Sequence, residues 1–226
     1  HVVLNRPEVI NAYDTRMRDD LFQALEAVRD DPGVGAAVLS GAGPRGFCAG
    51  ADLNEFGTAP SQAVARRVRW ERDVWGLFLD MGKPLVAALH GHVVGSGVEM
   101  ACLTDVRVAS EDAVFSMPEV ALGMVPAAGD TQTLPRAMPL GPAMEILLAG
   151  RTVDGREALR LGLVHTLVAK DQLLDHAQAI ASRLARRSPA ALAAAKTAVL
   201  KGMDLSLREG LDLEARLALT LTSPNE

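Results

Sequence analysis

The chain has little cysteine, no surplus of positive charge and no long apolar run, and each absence excludes a class of protein. Cys48 and Cys102 are the only cysteines in 226 residues. Two scattered thiols cannot build a disulfide framework or a thiolate metal cluster, and they fit a reduced, cytoplasmic setting. A formal net charge of −5 argues against a nucleic-acid-binding surface as the main function. No segment has the length and purity of a membrane span, and the opening "HVVLNRP" lacks a basic-then-apolar leader pattern. Neither a low-complexity linker nor a sequence repeat is present. What remains is an ordinary globular composition, 49% apolar and 23% charged, with material for one large domain or one domain and an appendage.

Short β-rich runs alternate with amphipathic helices. "HVVLN" and "GAAVLSG" read as strands flanking a helix over residues 15–29, where Met17, Leu21, Leu25 and Val28 recur at helical spacing. "KPLVAALHG" (83–91) reads as a strand buried on both faces. "DVRVAS" and "AVFSM" read as a close pair of short strands separated by "SED". Beyond residue 126 the character becomes mostly helical. Asp154 stands three residues before Glu157 in a capping-box spacing. Ser188 and Pro189 open a helix that Gly202 stops. The expected organisation is an α/β core over 1–168 and a helical segment over 169–226.

Three stretches carry candidate chemistry. "GSGVEMACLTD" (95–105) sets glycines on both sides of Ser96 and places Glu99 just behind them. Glycine serves where backbone approaches a ligand closely, and a strand-to-helix junction turns free N–H groups toward an anion. "RGFCAGADLNEF" (45–56) crowds small residues around Cys48, as a ligand-approaching loop or a tight structural turn would. In "FSMPEVALGMVPAAGDTQTLPR" (115–136), Glu119 follows Pro118, which by itself is the habit of a helix-start residue. A dinucleotide fingerprint fails on Met100 at the third glycine position, and the motif lies too far into the chain. A G-x-S-x-G nucleophile elbow fails because Ser96 has glycine on both immediate sides. His90 and His92, at i and i+2, share a face if the strand runs on. They are read as a solvated or hydrogen-bonded pair in preference to a metal site, since a third ligand motif is wanting.

Taken together, "LNRPEVINAY", "GFCAGADL", "KPLVAALHGHVVGSGVEMACLTDVRVAS", "FSMPEVALGMVP" and "LLAGRTVDGREALRLGLVHTLV" resemble the enoyl-CoA hydratase/isomerase (crotonase) superfamily over residues 2–215. The resemblance implies a crotonase-like spiral of ββα units with a helical C-terminal trimerisation segment. It also implies a homotrimer or a dimer of trimers acting on an acyl-CoA thioester, in fatty acid metabolism or a similar context. Coenzyme A then enters as part of the substrate, and no metal or other cofactor is expected. Members stabilise the thioester enolate with two backbone N–H groups, which fall here on Ala51 and Ser96. Hydratases of the family carry two glutamates that fall on Glu99 and Glu119, whereas isomerases generally keep the second alone. Asp52, Leu53 and Asn54 are expected to line the thioester and CoA channel through their backbone. Arg45 is either a partner of the CoA phosphates or a solvated loop arginine.

The chain departs from the family pattern where P-G-A-G-G-T-Q becomes "PAAGDTQ", with Ala127 and Asp130 in place of glycines. Asp130 either meets the positive end of a helix or raises the pKa of a nearby acid. The chain opens inside a strand and closes at "LTSPNE", where family members continue into further helix. The expected reaction is hydration of a trans-2-enoyl-CoA to a 3-hydroxyacyl-CoA. Isomerisation, thioester hydrolysis and a non-catalytic CoA-thioester-binding or scaffold role are the alternatives.

Overall fold

The computed structural model describes residues 1–55 and 58–222, so Phe56 and the last four residues of "LTSPNE" lie outside the described residues. In chain order the first half runs β1 (Val2–Leu4), α1 (Thr15–Asp30), β2 (Ala37–Gly41), β3 (Gly46–Cys48), α2 (Gln62–Glu71), α3 (Val74–Asp80), β4 (Leu85–Leu89), β5 (His92–Val94) and α4 (Ser96–Cys102). It continues with β6 (Val106–Ser110), β7 (Val114–Ser116), α5 (Asp130–Ala137), α6 (Leu140–Ala149), β8 (Val153–Asp154), α7 (Gly155–Leu161), β9 (Thr166–Val168), α8 (Leu173–Ala185), α9 (Pro189–Gly202) and α10 (Leu207–Thr222).

The strands form two sheets. One is wholly parallel in the order β1-β2-β4-β6-β9. The other runs β3-β5-β7-β8, parallel except where β8 joins antiparallel. Each turn of the chain therefore gives one strand to the large sheet and one to the small sheet, then crosses back, usually through a helix. That is a spiral of ββα units. Parallel neighbours need such long crossovers, because a tight hairpin can only join antiparallel strands.

The strand β4 shows why the spiral has two sides. Leu85, Ala87 and Leu89 point into the main core, while Val86 and Ala88 meet Leu173, Ala177 and Ala181 of α8. Alternate residues of one strand thus serve two apolar layers, as a continuous apolar run requires. Helix α8 lies beyond residue 168 yet covers the large sheet. Helix α1 buries Met17, Leu21, Leu25 and Val28, and its first turn is capped by Asp14 Oδ1 accepting the Met17 N–H at 2.7 Å. Asp154 accepts the Glu157 N–H at 2.8 Å, but the Glu157 carboxylate turns to Arg151 at 2.9 Å and leaves the box half made.

Two local readings change in three dimensions. The runs "DVRVAS" and "AVFSM" are neighbours in sequence but belong to different sheets, because the chain turns a corner of the spiral between β6 and β7. The same happens between β4 and β5. Gly91 takes φ +49° there, and a Cβ on it would strike the Arg45 carbonyl. The corner breaks the i, i+2 geometry. His90 is buried with Nε2 2.8 Å from the Gly43 carbonyl, and His92 is exposed on the small sheet.

Candidate active site

Parallel pairing of β3 with β5 brings the chain out of both strands on the same side. The exits are Ala49–Ala51 and Gly95–Ser96. They meet closely: Gly50, at φ +94°, would carry a Cβ only 3.2 Å from the Val94 carbonyl, and Gly97 would carry one 2.8 Å from the Cys48 carbonyl. Gly95 takes φ +50°, and a Cβ there would collide with Glu119 Oε1. Only glycine meets both demands at that position.

A cavity of about 570 Å³ opens at this junction, lined by Ala51, Leu53, Ser96, Glu99 and Glu119 among others. Among the described residues, neither the Ala51 nor the Ser96 N–H donates to a protein acceptor. Ser96 is the first residue of α4, where backbone N–H groups have no intrahelical partner. Two free amides on one concave surface can hold a developing negative charge on a single oxygen.

Both carboxylates reach the same cavity from different elements. Glu99 lies on α4, 3% exposed, and its Oε1 accepts the Ala128 N–H at 2.9 Å. Glu119 opens the short 3-10 turn Glu119–Leu122 behind Pro118. Burial raises its pKa, its own backbone N–H opposes the shift, and Oε2 has no hydrogen-bond partner among the described residues. Glu119 is therefore biased toward holding a proton. Cys48, pushed up to about 12 by burial, remains a thiol and supplies no nucleophile.

The neighbouring positions have other contacts. Leu53 lines the cavity, whereas Asp52 and Asn54 do not. The Asp52 carboxylate receives Asn54 N–H bonds at 3.1 and 3.0 Å and the Arg6 guanidinium at 3.2 Å. Those contacts, the Asn54 amide first, lower its pKa. Arg45 donates to the carbonyls of Pro7 and Glu8 at 2.7 and 2.6 Å, so it clasps the N-terminal segment.

The sequence reading missed the aromatic wall. Tyr13, the single tyrosine of the chain, and Trp75, one of two tryptophans, both line the cavity with ring centroids 5.7 Å apart. Tyr13 sits there because its N–H donates to the Gly50 carbonyl at 2.8 Å and its carbonyl accepts the Asp52 N–H at 2.9 Å. Scarcity was the available signal: few aromatics occur, and these two converge. Asn11 was missed too. Fully buried, it donates to the carbonyls of Ala42, Gly46 and Phe47 at 2.9, 3.1 and 3.1 Å, tying the N-terminal segment to the β2–β3 corner.

The profile of the family described as enoyl-CoA hydratase/isomerase matches residues 1–226. The chain is 37% identical over 209 residues to (E)-benzylidenesuccinyl-CoA hydratase of Thauera aromatica, covering 92% of this chain and 80% of that protein. It is 36% identical over 225 residues to 2,3-dehydroadipyl-CoA hydratase of Escherichia coli K12, covering 100% and 87%. The crystal structure of an enoyl-CoA hydratase from Bacillus anthracis matches with a TM-score of 0.89 at 31% identity, over 96% of this chain and 84% of that one.

Proposed function

The chain belongs to the enoyl-CoA hydratase/isomerase (crotonase) superfamily, and from that premise we propose that it hydrates a trans-2-enoyl-CoA to a 3-hydroxyacyl-CoA. The observation that carries this reading is the arrangement of one cavity: two undonated amides, at Ala51 and Ser96, with two carboxyls, at Glu99 and Glu119.

The thioester oxygen sits between the two amides. A water molecule attacks Cβ while Glu99 takes its proton, forming the C–O bond and moving the π pair toward the thioester as an enolate. Glu119 then gives a proton to Cα, and the enolate pair forms the new C–H bond. Proton exchange with solvent resets the two acids. Thioester and water balance the reaction, so no metal or redox cofactor is drawn. Each amide of such a hole contributes about 10²–10³ in rate, or roughly 3–4 kcal/mol. Tyr13, Trp75, Leu122 and Val125 provide the apolar wall for the acyl group.

No helix among the described residues is long and apolar enough to cross a membrane. Helices α9 and α10 bury none of their described residues. We assign their apolar surface to a homotrimer or dimer of trimers.

The test is a panel of enoyl-CoA thioesters followed by loss of the conjugated thioester absorbance, with the product identified. Formation of 3-hydroxyacyl-CoA is the expected outcome. A shifted double bond, released CoA, or binding without turnover would each replace the hydratase reading.

A further inference from the structure

Asp130 opens α5 and is fully buried, yet it lines no part of the cavity. Its Oδ1 accepts the Thr133 hydroxyl at 2.7 Å. Its Oδ2 has no hydrogen-bond partner among the described residues. Two residues earlier, the Ala128 N–H holds Glu99 Oε1, so the segment that leads into α5 touches one of the two acids directly.

The surroundings disfavour a charge on Asp130. Glu99 and Cys102 face it from α4, and Glu119 faces it from the turn after Pro118. Helix α6 packs on α5 and buries only Ala143, Ile146 and Leu147. Among the described residues, the positive group that interacts with Asp130 is Arg107 on β6. Its Nε and Nη1 donate to the Leu163 and Thr104 carbonyls at 2.6 and 2.9 Å, and Nη2 lies 3.1 Å from His165 Nε2. A buried carboxylate with half its acceptors unfilled is costly, and the neutral acid much less so. Burial is the largest cause and pushes Asp130 up to about 8, with the Thr133 hydroxyl and, more weakly, the Cys102 thiol opposing and the charges of Glu99 and Glu119 adding to the rise.

We propose that Asp130 is a positioning residue that carries a proton while the glutamate pair works, and that losing this proton to solvent shuts hydration down at alkaline pH. It makes no bond to substrate. Neutral, it lets the Ala128–Asp130 segment seat against Glu99. Ionised, it sets a further negative charge near the pair, where enolate formation is already adding one. The inference rests on the hydratase reading given above.

Two readouts test it. The first is the pH dependence of kcat/KM for the parent, Asp130→Asn and Thr133→Val. The parent should lose activity through an alkaline limb near the Asp130 value of about 8. Asp130→Asn, which cannot ionise, should keep the neutral-pH rate within about fivefold and lack that limb. Thr133→Val removes a bond to the ionised form and should move the limb upward. The second readout is thermal unfolding against pH and needs no turnover. Because the folded-state value is raised, the native chain binds more protons than the unfolded chain between the ordinary carboxylate range and about 8. Asp130 therefore costs no stability below that window and progressively more as pH rises through it. The Tm of Asp130→Asn should rise relative to the parent across the same window. An unchanged alkaline limb in Asp130→Asn or Thr133→Val overturns the proposal, as does a Tm difference that ignores pH. If no enoyl-CoA is hydrated, the functional reading fails, and the unfolding series still decides whether Asp130 holds a proton.

Discussion

The junction of β5, α4 and α5 buries charge-bearing groups, while the α9–α10 hairpin exposes apolar ones. Glu99 is 3% exposed and Asp130 not at all, whereas Leu207 is 80% exposed and Leu219 65%. Isolated exposed leucines are ordinary, but buried acids and a contiguous apolar surface both call for an explanation. The two regions break the same rule in opposite directions, and each break has its own use. Burial raises the pKa of Asp130 and of half-buried Glu119 toward the range in which protons transfer near neutrality. Uncovered leucines have unspent burial energy, which a second copy of the chain can use.

The largest effect should come from the buried side. Glu99→Gln and Glu119→Gln should each lower kcat by about 10³ or more while thioester binding changes little, because proton transfer is lost and the amides stay. Steady-state kinetics beside a binding titration would check this. Near-parental hydration in either variant would remove that residue from the mechanism.

The next effect tests the exposed side. Light scattering should give a three- or sixfold multiple of the 23.9 kDa chain. Leu207→Asp combined with Leu211→Asp, both on the open surface of α10, should lower that mass without altering the described cavity. A stable monomer for the parent at micromolar concentration would leave the leucines unexplained and end the comparison.

The smallest effect is a deliberate near-zero. Ser96→Ala keeps the backbone N–H and should leave hydration within about threefold of the parent, since the proposed reaction uses the donor and not the hydroxyl. A loss comparable to that of the glutamate variants would show the hydroxyl to be chemically engaged and would favour a hydrolase.

Much of the core was legible because it is local. The stripe Met17, Leu21, Leu25 and Val28 follows from helical period, and the caps at Asp154 and Ser188 bond N–H groups three residues on. The run Leu85–Leu89 announced burial on both faces. Gly95 was legible as backbone that must approach something. What it approaches was not, because Glu119 arrives from 24 residues away on another turn of the spiral.

By itself, then, the sequence determined α1, α7 and α9, the doubly buried strand, the flexible junction and the resemblance that placed Ala51, Ser96, Glu99 and Glu119 among the site candidates. The tertiary structure decided everything that depends on where the spiral turns. It parted β6 from β7 across the Glu111–Ala113 corner, and His90 from His92 where Gly91 redirects the chain between sheets. It drew Asp52 to Arg6 and Arg45 to the carbonyls of Pro7 and Glu8, and it set Tyr13 beside Trp75 in the cavity. It also sealed Asp130 behind the two glutamates, where burial raises its pKa. Periodicity and capping act over a few residues and are written in the order of the chain. Burial, pairing and pKa depend on which distant segments share a volume, and only folding sets that.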